Sequence, residues 1–274
     1  DRGVASQFVT TVIAGVGLQN GQLQLIGTSG RDFFEISQNA GTLKVKSVLG
    51  ATGDGDGWDD DDWDDDDSED HCHGQSYQQY TFAAAAVQSI LVRAYAGNDE
   101  FSAQSSIMIP MTVDGGAGND KLTTGGGNDT VTDLSGNNRI STRGGNDTIM
   151  TGTGNDKINS AEGNDTIIDA GGNNDIRTDG GNDTITTGAG NDKINSGAGD
   201  DSITDSGGNN TINTDGGNDT IVTGAGNDKI NSGDGNNSIT DAGGNNDITS
   251  GSGNDTIITG AGNDSIDAGS GDDY

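Results

Sequence analysis

Asp120, Asp129, Asp147, Asp156, Asp165, Asp183, Asp192, Asp201, Asp219, Asp228, Asp255, Asp264 and Asp273 follow one another at multiples of nine residues. A catalytic carboxylate pair is a singular arrangement, in which two environments push two pKa values apart. Carboxylates repeated on a fixed period contain no singular pair and read instead as oxygen ligands for cations. The remaining reactive residues add no catalytic set. The two histidines, His71 and His73, flank the one cysteine, Cys72, and no serine sits in a G-x-S-x-G turn. His71, Cys72 and His73 could ligate a soft metal, although three consecutive side chains rarely converge. Cys72 permits an intermolecular disulfide but no internal framework. The chain is expected not to be an enzyme.

The elements that must hold these aspartates are small. From Val113 to Ile266 an aliphatic residue falls at every ninth position, and a glycine stands five residues after each, from Gly118 to Gly271. The unit is x-x-x-G-N-D-x-Ile-x. Its glycine and asparagine suit a tight turn with positive φ. The three residues around the aliphatic suit a very short strand with the middle side chain inward. Such a strand needs neighbours, so two units are expected to form one 18-residue coil with strands on opposite faces, and the coils to stack. The expected fold is all-β: a right-handed parallel β-roll (β-solenoid) over residues 113–274, preceded by an irregular β-solenoid segment over 1–112.

Composition sets a problem for that fold. Of 274 residues, 49 are glycine and only 28% are hydrophobic, while 12 basic residues against 44 acidic ones leave a net charge of −32. Such chains ordinarily bury too little to offset the entropy of ordering. A polyanion of this kind also repels nucleic acid and anionic membranes and attracts cations. No apolar run is long enough to span a bilayer. The start at Asp1, without methionine or signal peptide, fits a processed secreted chain, and an artificial start would look the same.

GGAGNDKLT (115–123) resembles, without a gap, the calcium-binding nonapeptide G-G-x-G-x-D-x-U-x of the repeats-in-toxin (RTX) family, and eighteen units run in phase through 113–274. The resemblance implies that turn carbonyls and the aspartates of stacked turns hold multiple Ca²⁺ ions. By likeness, Asp129, Asp147, Asp165, Asp183, Asp201, Asp219, Asp255 and Asp273 line one edge, and Asp120, Asp156, Asp192, Asp228 and Asp264 line the other. Asp32 in GTSGRDFFEIS (27–37) and Asp99 in YAGNDEF (95–101) carry the same turn vocabulary and join the ligand set. A hard cation taking six to eight oxygens would turn repulsion between stacked carboxylates into ligation. Metal binding and folding would then be one event.

The period has exceptions. Asparagine replaces the aspartate at Asn138, Asn174, Asn210 and Asn246, spaced by 36, and at Asn237 on the other edge. Five residues before each of the four stands an aspartate: Asp133, Asp169, Asp205 and Asp241. The genetic repeat therefore reads as 36 residues, or two coils. Full calcium occupancy is expected on the aspartate edge, and weaker or differently built sites at the asparagines. The flat faces differ too. One is expected to present Thr148, Thr166, Thr184, Thr186, Thr204, Thr220 and Thr256 with Met150, Ile168, Val222 and Ile258, as a contact face or simply from strand propensity. The other presents Lys121, Arg139, Lys157, Asp175, Lys193, Lys229 and Asp247.

Before residue 113 the alternating runs LQLIG, TLKVKSVL and SILVRAY read as strands of wider coils sharing the array's axis, begun near Val4–Ile13. The insertion GDGDGWDDDDWDDDDSEDHCHG (53–74) reads as a solvated acidic loop, or as a weaker cation site through Asp54, Asp56, Asp59 and Asp61. The expected function is an extracellular, calcium-stabilised structural protein: a filament, surface-layer or biofilm-matrix subunit. Head-to-tail homopolymerisation would use Val4, Phe8, Val12, Ile13 and Tyr274, where uncapped strand edges invite another copy. The alternatives are a calcium-dependent adhesin or ice-binding module using the threonine face, and the secretion and folding module of a larger exoprotein.

Overall fold

The computed structural model describes residues 14–51 and 76–274. Eight strands precede the regular array: β1 (Gly15–Gln19), β2 (Gln22–Ile26), β3 (Arg31–Asn39), β4 (Thr42–Ala51), β5 (Gln78–Ala83), β6 (Ser89–Arg93), β7 (Glu100–Ala103) and β8 (Met111–Asp114). Seventeen strands of three to six residues follow, from Lys121–Thr123 to Ser265–Asp267, and the chain visits two sheets of twelve and thirteen strands in turn. A single 3-10 turn at Ala84–Ala86 is the helical structure among the described residues.

The 18-residue coil expected from the period is the one observed. Val131 pairs in parallel with Ile149 in one sheet, and Leu122 with Ile140 in the other. Each short strand turns its middle aliphatic inward, and these side chains stack from Val113 to Ile248 at 0–1% exposure. The last two departures are informative: Ile257 is half-buried and Ile266 is 47% exposed, so the expectation of a buried aliphatic in all eighteen units fails there. An inward side chain in a solenoid is covered by the coils above and below it, and the final coil has one neighbour.

The turns also correct the sequence reading. No asparagine of a Gly-Asn-Asp turn has positive φ, and Gly154, Gly190, Gly226 and Gly262 lack it as well. Most of the other turn glycines, such as Gly118, Gly136 and Gly271, do have positive φ as expected, and a second requirement acts on the glycine as well. A Cβ on Gly190 would lie 1.6 Å from the carbonyl oxygen of Gly172, one coil below, and from Gly136 onward every such glycine has that carbonyl within 1.4–2.3 Å of the same point. The coils approach too closely at their edges for any side chain. Asparagine is kept by a hydrogen bond instead. Its amide N–H donates to the side-chain oxygen of the asparagine one coil back, as in Asn155 to Asn137 at 2.7 Å and Asn173 to Asn155 at 2.7 Å.

The segment before the array is only partly a wider coil. β2 and β3 form the first coil, and β6 and β7 stack on them in parallel, with Leu23 against Ile90 and Phe34 against Phe101. Between these coils the chain departs from solenoid geometry: β4 and β5 pair antiparallel as the outermost strands of one sheet, and β1 pairs antiparallel with β2 at the edge of the other. Two-residue turns with both φ positive close the β1–β2 hairpin, at Asn20-Gly21, and the antiparallel β3–β4 hairpin, at Ala40-Gly41. The step into the array spans 21 residues, from Phe101 to Leu122, and settles at 18 thereafter. The extra residues lie around Pro110 and carry Ile107 into the core. The expectations placed on Val4, Phe8, Val12, Ile13, Asp54, Asp56, Asp59, Asp61, His71, Cys72 and His73 lie outside the described residues.

Gly190→Ala tests the close approach without disturbing a left-handed backbone. Overpacking of this kind costs about 1–3 kcal/mol, so the melting midpoint in saturating calcium should fall. A midpoint equal to that of the parent chain would mean that the coils are not in contact there.

Candidate metal centre

Both edges of the solenoid carry a column of buried carboxylates, built by the backbone one coil at a time. The parallel ladder holds successive turns in register, and the side-chain Oδ1 of each aspartate accepts the backbone N–H one coil back. Asp147 accepts from Asp129 at 2.7 Å, Asp165 from Asp147 at 2.8 Å, and Asp183 from Asp165 at 2.8 Å. On the opposite edge the column runs further than the array. Asp99 accepts from the Asp32 amide at 2.5 Å and Asp120 from the Asp99 amide at 2.7 Å, which places both early aspartates in the same line as Asp156, Asp192 and Asp228. Asp264 is half-buried and Asp273 exposed, where stacking ends.

One oxygen of each carboxylate is used in this way. The other, Oδ2, is buried without a hydrogen-bond partner in Asp99, Asp120, Asp129, Asp147, Asp156, Asp165, Asp183, Asp192, Asp201, Asp228 and Asp255. Buried polar atoms in folded proteins almost always have partners, and anionic oxygens buried without one suit ligation of a cation. Burial pushes carboxyls in both columns up from the ordinary value of 3.8. Asp120, Asp129, Asp147, Asp156, Asp201 and Asp228 rise to about 6, and Asp99 and Asp165 to about 7. Asp169, Asp183, Asp192 and Asp219 shift in the same direction for the same cause. Asp32 differs: its oxygens accept from the Thr28 amide, the Thr28 hydroxyl and the Gly50 amide, so it ends the column on protein donors.

The asparagine positions are better built than their charge suggested. Asn138, Asn174, Asn210 and Asn246 keep the ladder bond through Oδ1, accepting from Asp120, Asp156, Asp192 and Asp228 at 2.8–3.0 Å. In the later three, Nδ2 donates at 2.7 Å to the displaced aspartate of the same turn, Asp169, Asp205 or Asp241. The other oxygen of each displaced aspartate accepts a hydroxyl from one coil back: Thr151 at 2.6 Å, Thr187 at 2.7 Å and Thr223 at 2.8 Å. This edge therefore still carries one carboxylate per coil from Asp120 onward, alternating between two positions of the turn. Asn237, on the other edge, has no such partner and donates to turn carbonyls of Gly233 and Gly235.

A second set of side chains was not singled out from the sequence. Thr124, Thr142, Ser160, Thr178, Ser196, Thr214, Ser232 and Ser250 lie fully buried five residues before the first-edge turn residues. Thr214 donates to Asp219 Oδ2 at 2.6 Å, and the hydroxyls of Thr124, Thr142, Ser160, Thr178 and Ser196 draw their aspartates' pKa values back down. Their 18-residue period is present in the sequence, at the place where the nonapeptide has its first glycine.

On the flat faces, Thr148, Thr166, Thr184, Ser202, Thr220, Ser238 and Thr256 form one register column, and Thr186 and Thr204 stand beside Met150, Ile168, Val222 and Ile258 in the next. The opposite face carries Lys121, Arg139, Lys157, Asp175, Lys193, Lys229 and Asp247, with ion pairs Lys121–Glu100 at 3.3 Å and Lys193–Asp175 at 3.6 Å. The Tyr274 side chain is exposed while its backbone bonds to Asp255 and Ile257.

The donor set in the turns is oxygen throughout, which suits a hard divalent cation. Among the described residues no three acidic, histidine or cysteine side chains converge on one point that could hold a metal ion. A cation in these turns would take one or two carboxylates and complete its shell with backbone carbonyls. Residues 112–132, 133–167, 169–203, 204–239 and 241–274 match the family model described as RTX calcium-binding nonapeptide repeat (4 copies). No curated protein and no solved structure matches the chain.

Protons and metal should substitute for one another. Carboxyls whose folded pKa lies above the unfolded 3.8 stabilise the metal-free fold fully below pH 3.8, and that contribution is lost as pH rises through about 6 to 7. In chelator, the chain at pH 4.5 should therefore show more β-structure and a higher melting midpoint than at pH 7.5. Saturating calcium should shrink the difference. Circular dichroism checks this, and a metal-free fold weaker at pH 4.5 than at 7.5 would contradict the burial of these groups.

Proposed function

We propose, on the premise that this chain belongs to the RTX calcium-binding nonapeptide-repeat family, that it is an extracellular structural rod whose folding is switched on by environmental calcium. RTX nonapeptide repeats bind calcium and are typical of secreted proteins. Among the described residues no helix is long and apolar enough to cross a membrane. The observation that carries the reading is the pair of buried carboxylate columns in which most of the motif aspartates have an Oδ2 without a hydrogen-bond partner. Asp129, Asp147, Asp165, Asp183, Asp201, Asp219 and Asp255 on one edge, and Asp99, Asp120, Asp156, Asp192 and Asp228 on the other, would hold the ions with turn carbonyls. When bound, calcium supplies the positive charge that lets like-charged turns stack. The role is mechanical, with no catalytic assignment.

Self-association is the second layer of the reading. Each rung offers the next the same backbone edge, so another copy could continue the ladder where a rung is left unpaired. A filament, surface-layer or matrix subunit follows from that geometry. The adhesin alternative is favoured by one observation of its own: the hydroxyl column from Thr148 to Thr256, half-buried at its ends and exposed from Thr184 to Ser238, lies in register beside Ile168, Val222 and Ile258, which are 46%, 37% and 51% exposed.

Electron microscopy in millimolar calcium and after chelation tests both layers. Fibres that disperse when calcium is removed are the expected result. Single folded rods in calcium would reject the polymer and move attention to the threonine face. A chain equally folded with and without calcium would reject the switch.

A further inference from the structure

The rod is not level at its N-terminal end. From β2 and β3 onward each coil adds one strand to each sheet, yet one sheet holds twelve strands and the other thirteen. The difference lies before the first coil. β1 alone stands outside β2, whereas β4 and β5 both stand outside β3. β1 approaches β4 across the core, so among the described residues β5 has no strand opposite it at its own level. The end is a step one strand high.

The side chains on the step are apolar and incompletely covered. Val16 and Leu18 lie on the inward face beside Leu25 and Leu23, and Tyr80 and Phe82 beside Val45 and Leu43. Leu23, Leu25, Leu43 and Val45 are 0% exposed. Val16, Tyr80 and Phe82 are only half-buried, and Leu18 is 39% exposed. β1 and β5 each pair on one side only among the described residues. Edge strands are ordinarily protected by charge, proline or a bulge. Residues 14–26 and 76–92 contain no charged residue and no proline, in a chain of net charge −32 whose array carries aspartates along both edges. At this end two copies meet with the least repulsion.

We propose that the stepped end is a contact surface for the same end of a second copy, joined about a two-fold axis parallel to the strands. β3 runs opposite to β2 on the far side of the coil, β5 runs with β3, and β1 runs opposite to β2, so β1 and β5 run the same way. The axis exchanges the two sheets. It lays the partner's β5 beside β1 and the partner's β1 beside β5, as two parallel pairs. The long sheet of each copy then meets the short sheet of the other, and both steps close at the ordinary strand spacing of about 4.8 Å. A level end would meet only one of the two sheets. Such a contact is isologous and closes at two copies. The proposal rests on the self-association reading above and gives it a polarity: a longer filament would be built from inverted pairs.

The test measures mass and distance on the full chain in saturating calcium. Sedimentation should show pairs, and spin labels at Thr81→Cys in a Cys72→Ser chain should lie within about 30 Å of each other, because the two β5 strands stand at one level on sheets packed about 10 Å apart. Copies joined head to tail would separate the labels by a rod length, about 60 Å for thirteen strands. Leu18→Lys and Phe82→Lys each place an inward charge on an edge strand and should weaken pairing about tenfold or more. Their circular dichroism in calcium should match the parent's. If Phe82→Lys does not fold, Leu18→Lys decides, since Leu18 is already partly exposed. A parent that stays monomeric at high concentration would reject this contact and the self-association reading together. Protection of the β1 amides from hydrogen exchange in that monomer would show the chain's own residues filling the place. Association with only the long label distance would keep self-association and overturn this contact, as would a short distance that survives Leu18→Lys.

Discussion

Two requirements of this fold oppose each other. The parallel ladder holds coils one strand spacing apart, and that spacing sets Asp129, Asp147, Asp165, Asp183, Asp201 and Asp219 one above another with the same charge. At about 4.8 Å and an effective dielectric of about 20, each adjacent pair repels by about 3 kcal/mol. The glycine of every turn sharpens the conflict, because its carbonyl contact with the coil below removes any room to relax. Cations on the unpartnered Oδ2 atoms would reconcile the two requirements. The low content of apolar side chains, one inward aliphatic per nine residues, leaves the core no means of overcoming the repulsion on its own.

The asparagine substitutions show the same constraint from the other side. Where a turn loses its aspartate, Oδ1 of the asparagine still accepts the amide from the coil below, so the ladder is unbroken. The charge reappears five residues earlier, and in the later copies Asn174, Asn210 and Asn246 bind it directly. Drift in a duplicated unit would not be expected to assemble a threonine, an aspartate and an asparagine into one closed set of hydrogen bonds three times over.

Much of this was legible because the repeat is exact in spacing: the nine-residue aliphatic period dictates the 18-residue coil, the two sheets and the sorting of aspartates onto two edges. What the sequence concealed lies between coils. Gly190 looks like a turn residue and is in fact a contact residue, since its restriction comes from Gly172 one coil away. Asn155 looks like a turn former and is a rung of a side-chain ladder. Thr124 and its successors replace the first glycine of the nonapeptide, and nothing in their spacing along the chain shows that they face the aspartates. The hairpins of β4 and β5 were missed for another reason. Alternation marks a strand but not its direction, and TLKVKSVL pairs antiparallel as readily as parallel.

The alternation of threonine and aspartate along one edge also bears on how so repetitive a chain counts its own coils. A perfectly uniform array could stack any coil on any other, and slippage by one turn would go unnoticed. Here a chain that skipped one coil would seat Asp169 over Asp133 instead of over Thr151, bringing two displaced carboxylates together with no hydroxyl between them. Only a slip of two coils restores the match. The two-coil period is thus a proofreading device, written into side chains that the backbone alone would treat as interchangeable.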